Sequence, residues 1–253
     1  MTGITVRAAA VSETGLVRQN NEDSAYSGRW LYAVADGMGG HASGELASAA
    51  VIRTLRAADA EADPGSLLGV LGRAVTEANA EVARVAAEDP ARRGMGTTLT
   101  ALLRSGGQAA LVNIGDSRAF RLRDGHLRQL TEDHVMAKLV SNAGPLGPVL
   151  SRYLDGRPDR SPDLSIRDLR PGDRYMLCSD GLSPVVGTRA IREALATAAD
   201  PELAAAQLAG LAEAEGAPDN ISIIVIDVRP AGTVAEAADP VMLGAAIAEV
   251  FAS

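Results

Sequence analysis

The chain has 253 residues, of which 47% are hydrophobic and 22% are charged. These values are typical of a folded globular protein with one large or two modest domains, and they exclude wholesale disorder and a disulfide-stapled miniprotein. A net charge of −8 argues against the basic surface that nucleic-acid binding requires. The single cysteine, Cys178, excludes an intramolecular disulfide and favours a reducing compartment.

The sequence also argues against a secreted or membrane-spanning protein. Its first residues lack a basic segment followed by a long apolar run, so we expect no secretory signal. The longest apolar stretch, residues 241–252, is shorter than the roughly 18 to 20 residues that cross a bilayer, and it contains Glu249. We therefore predict a cytoplasmic protein without a membrane span.

The first part of the chain combines strand patterns with helix patterns. Extended segments rich in β-branched and aromatic residues predict strands, and apolar residues at three-and-four spacing predict amphipathic helices. A Ser27-Gly28 turn makes the second and third strands a hairpin, and Pro64-Gly65 separates the two helices. The predicted elements are strands at 4–11, 24–27 and 30–35 and helices at 43–57 and 67–87.

From residue 97 to residue 130 the pattern is that of strands alone. Glycine-rich or Asp124-Gly125 turns separate four strands and predict an antiparallel meander, at 97–104, 108–114, 119–123 and 126–130. A helix is predicted at 132–141, followed by irregular chain. The remaining predicted elements are strands at 164–169, 174–179 and 220–228 and helices at 188–197 and 201–215.

Strands outnumber crossover connections in this order. The pattern favours an α+β fold with two mostly antiparallel sheets packed face to face and helices outside, rather than a doubly wound parallel sheet. We assign residues 1–230 to one domain. The alanine-rich remainder, 231–253, is either a short helix at 234–252 packed on the body or a free tail, and its periodicity does not decide between the two.

Acidic residues stand at the mouths of several predicted strands, beside glycine, asparagine or serine. One Asp-Gly pair after a strand is most often an ordinary turn, but several converging carboxylates repel one another unless a cation joins them. Oxygen ligands suit Mg²⁺ or Mn²⁺, and three histidines with one cysteine are too few for a zinc site. Two such ions would activate water for attack on a phosphoryl group. The acidic residues are Glu22, Asp23, Asp36, Asp116, Asp180 and Asp219.

Seven motifs, in chain order, resemble those of the type 2C, metal-dependent serine/threonine protein phosphatases, in particular the compact bacterial ones. The resemblance covers roughly residues 4–229. The motifs are GLVRQNNED at 15–23, DGMGGH at 36–41, GMGTT at 94–98, IGDSR at 114–118, LTEDH at 130–134, SDGL at 179–182 and DN at 219–220.

The resemblance implies a four-layer α-β-β-α sandwich with a dinuclear Mn²⁺ or Mg²⁺ centre at one end, and residues 1–230 become a phosphatase catalytic domain. It implies that Asp36 bridges both ions, that the Gly37 carbonyl binds one, and that Asp180 and Asp219 hold the other. Arg18 would clamp the substrate phosphate with its planar fork of donors. The implied reaction is direct attack of a metal-activated water on phosphoserine or phosphothreonine, without a phosphoenzyme.

Other matching residues have supporting roles in this interpretation. Glu22 and Asp23 would mostly orient metal-bound water. Asp116 matches a ligand of a weaker third metal site in the family. Because the reaction needs no nucleophilic cysteine, Cys178 is interpreted as a small core residue. Hydrogen bonds that hold loops in place are expected of Thr97, Thr98, Arg118 and Asn220.

The sequence departs from the family pattern at three places. Met38 stands where some members have a histidine proposed to protonate the leaving alkoxide, and a thioether donates no proton; His41 is expected to hydrogen-bond within its turn. Pro184 stands where a further aspartate would complete the third metal site, so that site should be weak or absent. The flap at 135–152 is abbreviated, which should open the groove and alter which phosphoproteins dock.

Three functions remain open at this point. The first is an active bacterial phosphatase that acts on phosphorylated proteins, with a serine/threonine kinase or its substrates as partners. The second is a weakly active or inactive protein of the same fold that binds a phosphorylated partner. The third is a phosphatase of an anti-sigma pathway, which only its substrate distinguishes. Retention of Arg18, Glu22, Asp36, Asp180 and Asp219 favours an enzyme, and the missing third-site aspartate is the best argument for the binding protein.

Overall fold

Two β-sheets and the helices that cover them make up the fold. The structure, a computed structural model, describes residues 3–40, 43–136, 149–232 and 239–247. Its strands are β1 (Ile4–Glu13), β2 (Asp23–Ser27), β3 (Leu31–Met38), β4 (Gly96–Thr97), β5 (Leu99–Ser105), β6 (Gln108–Ile114), β7 (Arg118–Arg123), β8 (His126–Gln129), β9 (Asp163–Asp168), β10 (Arg174–Cys178), β11 (Ile221–Pro230) and β12 (Val241–Gly244). Its α-helices are α1 (Ser43–Leu55), α2 (Leu67–Ala87), α3 (Thr188–Thr197) and α4 (Pro201–Ala214).

Both sheets are antiparallel. One has five strands in the order β1-β11-β10-β7-β8, and β1 pairs with β11 from Ile4 opposite Pro230 to Glu13 opposite Ile221. The other has the order β12-β2-β3-β5-β6-β9, with the short β4 paired to the end of β3. The predicted pair of mostly antiparallel sheets is confirmed.

The central strands are buried on both faces, which explains why their sequences are continuous apolar runs. In β11, Ile223 and Val225 pack in the cluster under α3 and α4, whereas Ile224 and Ile226 pack in the cluster between the two sheets. Successive side chains of a strand point to opposite faces, so this alternation places one sheet against helices on one side and against the other sheet on its second side.

The helices form the two outer layers. Along α2, Leu71, Val75 and Val82 share one face and are buried against the seven-stranded sheet in the same cluster as α1. Helix α4 begins where Asp200 caps the backbone N–H of Leu203 and Pro201 occupies the first turn. The four-layer α-β-β-α sandwich is therefore confirmed. No helix in the described part of the chain is long and apolar enough to cross a membrane.

The predicted four-stranded meander is wrong in one respect. Strands β5 and β6 pair in one sheet and β7 and β8 pair in the other, so the chain changes sheets between Ile114 and Arg118. Gly115 permits this crossing: its φ is 113°, and a Cβ there would lie 2.5 Å from Thr98 Cγ2. The crossing carries Asp116 to the junction of the two sheets.

The predicted helix at 132–141 is wrong over its described part. Residues 132–136 are not helical: Val135 forms an isolated antiparallel bridge with Leu150, and the N–H of Met136 donates to the carbonyl of Val149. His134 is buried beneath this segment, where its Nδ1 accepts from the N–H of Gly115. Residues 137–141 of the prediction lie outside the described residues.

Neither alternative for residues 234–252, a short helix or a free tail, fits its described part. Val241–Gly244 is strand β12, which pairs with β2 at the edge of the seven-stranded sheet, and a single 3₁₀ turn, Ala245–Ile247, follows it. Ala245 and Ala246 are buried, because the alanines pack against the body rather than along a helix face. Residues 234–238 and 248–252 lie outside the described residues.

One buried arginine ties the five-stranded sheet to its helix layer. Arg174, the first residue of β10, donates from Nη2 to Asp227 on the neighbouring strand at 2.9 Å. Its Nη1 donates to the carbonyls of Leu195 and Ala198 at the C-terminal end of α3, at 2.7 and 2.9 Å. A cation at this end of a helix satisfies carbonyls that have no partner within the helix.

The Arg174→Met variant leaves the Asp227 carboxylate buried, and Arg229, at 3.4 Å, is then its one ion-pair partner among the described residues. The variant should therefore lower the free energy of unfolding by about 3 kcal/mol. Urea unfolding monitored by circular dichroism measures this. The matched control is Arg7→Met, which breaks the exposed pair of Arg7 with Glu202 and should cost less than about 1 kcal/mol. Equal losses in the two variants would contradict the role assigned to Arg174.

Candidate metal centre

A cavity of about 440 Å³ lies where the two sheets meet, and most of the predicted site residues line it. Asp23 is not in the cavity wall. It begins β2, where it pairs with Asp36 of β3, and its side chain is buried behind the wall, 1% exposed. The predicted site residues in the wall are Arg18, Glu22, Asp36, Gly37, Asp116, Asp180 and Asp219.

The antiparallel pairing of the strands brings these carboxylates together. Asp36 lies near the end of β3, in the seven-stranded sheet. Asp180 follows β10 and Asp219 precedes β11, and these two strands are neighbours in the five-stranded sheet. Asp116 lies on the segment that crosses between the sheets. The cavity therefore collects carboxylates from both sheets at one end of the sandwich.

Close backbone contacts fix the position of Gly37. Its N–H donates to the carbonyl of Glu22 at 3.2 Å. A Cβ at this residue would lie 2.1 Å from the carbonyl oxygen of Gly44 and 2.5 Å from that of Glu22. No residue other than glycine fits here, because the contacting atoms are backbone atoms of helix α1 and of the loop before β2. The Asp36-Gly37 pair is thus held against the first turn of α1.

Burial and mutual repulsion favour the protonated forms of the clustered acids. Burial, followed by the charges of Asp23 and Asp180, raises the pKa of Asp36 well above its ordinary value. Burial and the charge of Asp219 raise the pKa of Asp180. Burial and Asp180 raise the pKa of Asp116 to about 7. The pKa of Asp23 also rises to about 7, chiefly through burial, and the charge of Asp180 adds to the rise.

Several oxygens of these acids have no protein partner. Both carboxylate oxygens of Asp23 and Oδ1 of Asp180 are buried and accept no hydrogen bond from the described residues. A buried, unpaired carboxylate is costly, and a divalent cation with oxygen ligands is the counter-charge that removes this cost. The donor chemistry therefore fits Mg²⁺ or Mn²⁺.

The carboxylates are not, however, already arranged as a closed cage. Within the described ranges, no group of three or more His, Cys, Asp or Glu side chains has the arrangement of a metal site. One reason is Arg18, whose Nη2 donates to Oδ2 of Asp219 at 2.6 Å. Both side chains are partly exposed in the cavity wall, so this ion pair can open without a large rearrangement of the core.

The comparisons with known proteins identify the family. The sequence profile described as "Protein phosphatase 2C" matches residues 12–221. The chain belongs to the protein phosphatase 2C family. It is 45% identical to the serine/threonine protein phosphatase PstP of Mycobacterium tuberculosis, over 89% of this chain but 45% of that relative, and so spans less than half of the relative's length. The predicted family is confirmed.

Two further comparisons cover nearly the whole of the other protein. The serine/threonine phosphatase stp of Listeria monocytogenes is 30% identical, over 85% of this chain and 93% of its own. The crystal structure of the catalytic domain of PstP "in complex with 2 Manganese ions" is 45% identical and covers 89% of this chain and 99% of that one, with a TM-score of 0.83. The fold of this phosphatase 2C chain is therefore shared with a structure that holds two manganese ions.

Hydroxyl and amide groups of this phosphatase 2C chain hold the acidic loops in place. The N–H of Asp36 donates to Oγ1 of Thr98 at 3.0 Å, and Oγ1 of Thr97 donates to the Asp36 carbonyl at 2.8 Å. Asn220 accepts from the N–H of Glu22 through Oδ1 at 2.8 Å. Arg118 is paired with Asp133. These contacts agree with the supporting roles expected from the sequence.

The polar residues around Asp23 were not predicted as part of the site. Asn21 accepts from the N–H of Asp23 through Oδ1 at 3.0 Å and donates from Nδ2 to Ser12 at 2.9 Å. Ser12 in turn shares a hydrogen bond with Ser222 at 2.8 Å. The available signal was Ser222 itself, a hydroxyl within the apolar run of β11.

Part of the cavity wall was not predicted from the sequence. Val149, Leu150 and Tyr153 line the cavity, although they lie in or beside the interval assigned to the abbreviated flap. Met38 lines it as well, while His41 lies outside the described residues.

Cys178 is buried in β10, and burial raises the pKa of its thiol to about 12, as expected of an unreactive core residue.

The metal-free protein should lose stability through the site as the pH rises. The folded-state pKa of Asp116, about 7, exceeds its ordinary value of 3.8, so the folded protein retains a proton that the unfolded chain releases between these pH values. The free energy of unfolding of the wild type, relative to that of Asp116→Asn, should therefore fall from about pH 4 to about pH 7. Urea unfolding in chelator across this range measures the difference.

Two controls make this pH dependence specific. Saturating Mn²⁺ should reduce the fall, because the ion binds the ionised carboxylates. Asp124 lies at an exposed turn between β7 and β8. The free energy of unfolding of the wild type, relative to that of Asp124→Asn, should show no comparable fall over the same pH range. A wild type that becomes more stable than Asp116→Asn over this range would contradict the electrostatic description of the site.

Proposed function

We propose that this chain is a metal-dependent protein serine/threonine phosphatase that hydrolyses phosphoserine and phosphothreonine. The observation that carries the proposal is the meeting of Asp36, Asp180 and Asp219 with Arg18 in one cavity. Three carboxylates whose negative charge is only partly neutralised can bind a cation, and the guanidinium beside them can bind an anion. A phosphate monoester bound through divalent ions requires this combination.

Two divalent ions would be held by Asp36, shared between them, by the Gly37 carbonyl on one ion and by Asp180 and Asp219 on the other. The entry of carboxylates from both sheets supports this division, since Asp36 comes from one sheet and the other two aspartates come from its partner. Glu22 in the wall would orient water from beside the ligands. Asp23, behind Asp36, would do the same from beneath the cavity.

When bound, two divalent ions supply Lewis acidity: they lower the pKa of water and neutralise charge on the phosphoryl oxygens. The chain itself supplies orientation. Arg18 would leave Asp219 and direct two N–H donors at the phosphate, a geometry that a planar guanidinium provides and an ammonium does not. Met38 lines the cavity but donates no proton, so it does not protonate the leaving alkoxide.

Three finer points accompany this proposal. The third metal site should be weak, because Pro184, four residues after Asp180, stands where another carboxylate is expected. Asp116 and Asp180 would then form the site alone. The partners would be phosphorylated proteins, among them a serine/threonine kinase or its substrates, and the location would be cytoplasmic. Residues 1–230 would form the catalytic domain, with β12 adding an edge strand to its sheet.

A phosphatase-fold protein that only binds a phosphorylated partner is the second candidate. The loss of the third-site carboxylate at Pro184 favours it. The presence of Asp36, Asp180, Asp219 and Arg18 in one cavity favours the enzyme, because binding alone does not require so many buried acids beside an anion site. An anti-sigma-pathway phosphatase would have the same site and differ in its substrate.

Asp36→Asn should lower Mn²⁺-dependent hydrolysis of p-nitrophenyl phosphate by at least about 100-fold, because an amide cannot bridge two cations. Steady-state kinetics measures the rate, and titration calorimetry with Mn²⁺ should show weaker uptake by the variant. The matched control is Asp124→Asn, which should leave both readouts unchanged. A folded wild type without hydrolysis at any metal concentration would favour the binding protein.

Arg18→Lys should lower kcat/KM for a phosphothreonine peptide by about 10- to 100-fold, mainly through KM, because lysine loses the bidentate contact. Kinetics at saturating Mn²⁺ separates the KM and kcat contributions. Arg7→Lys serves as the control and should behave as the wild type, because Arg7 forms an exposed ion pair with Glu202 and does not line the cavity. An unchanged KM in Arg18→Lys would remove Arg18 from phosphate binding.

A further inference from the structure

Some of the large apolar side chains that are exposed to solvent lie in the wall of the acidic cavity or next to its wall residues. Scattered exposed hydrophobic residues are ordinary on a protein surface, but a group around one cavity indicates a binding surface. Four of the nine such residues in the described part of the chain belong to segments that border the cavity: Leu16, Val17, Met136 and Val149, with exposures of 66%, 67%, 46% and 47%.

The first rim consists of Leu16 and Val17. It is anchored beside Asp219: the N–H of Leu16 donates to the carbonyl of Ala217 at 3.0 Å. Gly15, with a φ of 76°, approaches the backbone so closely that a Cβ would lie 2.2 Å from the Asp219 carbonyl oxygen. Val17 directly precedes Arg18, so the rim lies next to the proposed phosphate clamp.

The second rim consists of Met136 and Val149. The N–H of Met136 donates to the carbonyl of Val149 at 2.9 Å, which joins the two residues. Val149 itself lines the cavity, followed in the wall by Leu150 and Tyr153. The ring of Tyr153 lies under the guanidinium of Arg160, with 5.3 Å from Cζ to the ring centroid, so this wall is supported from behind.

We propose that the two rims bind apolar side chains adjacent to the phosphorylated residue of the substrate. This inference rests on the proposed function, which fixes the phosphate at Arg18 and the carboxylates. An extended peptide advances about 3.3 to 3.6 Å per residue, so the residues next to the phosphothreonine would lie beside Val149 in the cavity wall and Val17, which directly precedes Arg18. Because the rims present apolar surface to water, covering them favours leucine, valine or similar substrate side chains over polar ones.

The proposal commits to the substrate rather than to a second copy of the chain. Val149 belongs both to a rim and to the cavity wall, so the apolar surface is continuous with the place where the phosphate would bind. A second copy seated on the rims would instead block access to the cavity. Dimerisation is therefore an outcome that opposes the proposal.

Two phosphothreonine peptides of equal length and net charge test the preference, one with leucine and valine at the two positions on each side and one with serine and asparagine there. With Mn²⁺, the wild type should show about tenfold higher kcat/KM for the apolar peptide, mostly through a lower KM. In the double variant Val17→Ser, Val149→Ser this ratio should approach one. The control Leu203→Ser removes an equally exposed side chain on α4, 44% exposed, and should keep the wild-type ratio.

Several outcomes would overturn the inference. These are equal kcat/KM for the two peptides, an unchanged ratio in the double variant, or a wild-type dimer by light scattering that the double variant makes monomeric. Hydrolysis of p-nitrophenyl phosphate tests the proposed function separately. Should the wild type hydrolyse neither p-nitrophenyl phosphate nor the peptides, the two peptides are compared as ligands by fluorescence anisotropy. Tighter binding of the apolar peptide would support the role of the rims, and equal binding would overturn it.

Discussion

Buried carboxylates at the junction of the two sheets are the constraint on which the rest of the structure depends. Asp23 is buried, and Asp36 and Asp180 are half-buried in the cavity wall. The three lie near enough for their charges to interact, and in the described residues none of them forms a salt bridge. Such a group is unfavourable for folding in the absence of a cation. The remainder of the fold must therefore supply enough stability to hold them in place. It does so through three apolar clusters, one between the two sheets and one between each sheet and its helices.

The sandwich suits this task because its central strands are rigid on both faces. A side chain at the end of β3 or β10 belongs to a strand that is packed against helices on one side and against the other sheet on its second side. Functional groups on such strand ends are positioned more firmly than groups on free loops. The site combines both kinds of support, since Asp36 lies in a strand whereas Arg18 lies in a loop held by its neighbours.

The sequence predicted the parts of the fold that local chemistry determines. Helix α2 has the predicted bounds, 67–87, because its apolar stripe and the preceding Pro64-Gly65 are local signals. The change of sheet at Gly115 has no comparable signal, since a hairpin and a crossing have the same turn residues. Strand β12 was not predicted, because the alanines around it favour a helix locally, whereas its pairing with the edge of β2 is a tertiary feature. The ion pair of Arg18 with Asp219 joins residues 201 positions apart and is equally invisible to a local pattern.

The distribution of arginines separates the site from the rest of the molecule. Away from the cavity, buried aspartates have arginine partners: Asp173 is bound by Arg123 and Asp227 by Arg174. In the cavity wall, Arg18 is the one arginine among the described residues, and it pairs with the partly exposed Asp219. Arg118 acts on Asp116 and Asp180 through its charge but is itself paired with Asp133. The same fold thus neutralises buried acids with its own cations where they stabilise the sheets, and leaves them under-compensated at the junction. That contrast separates a metal centre from a structural ion-pair network, because only the uncompensated acids gain from binding an external cation.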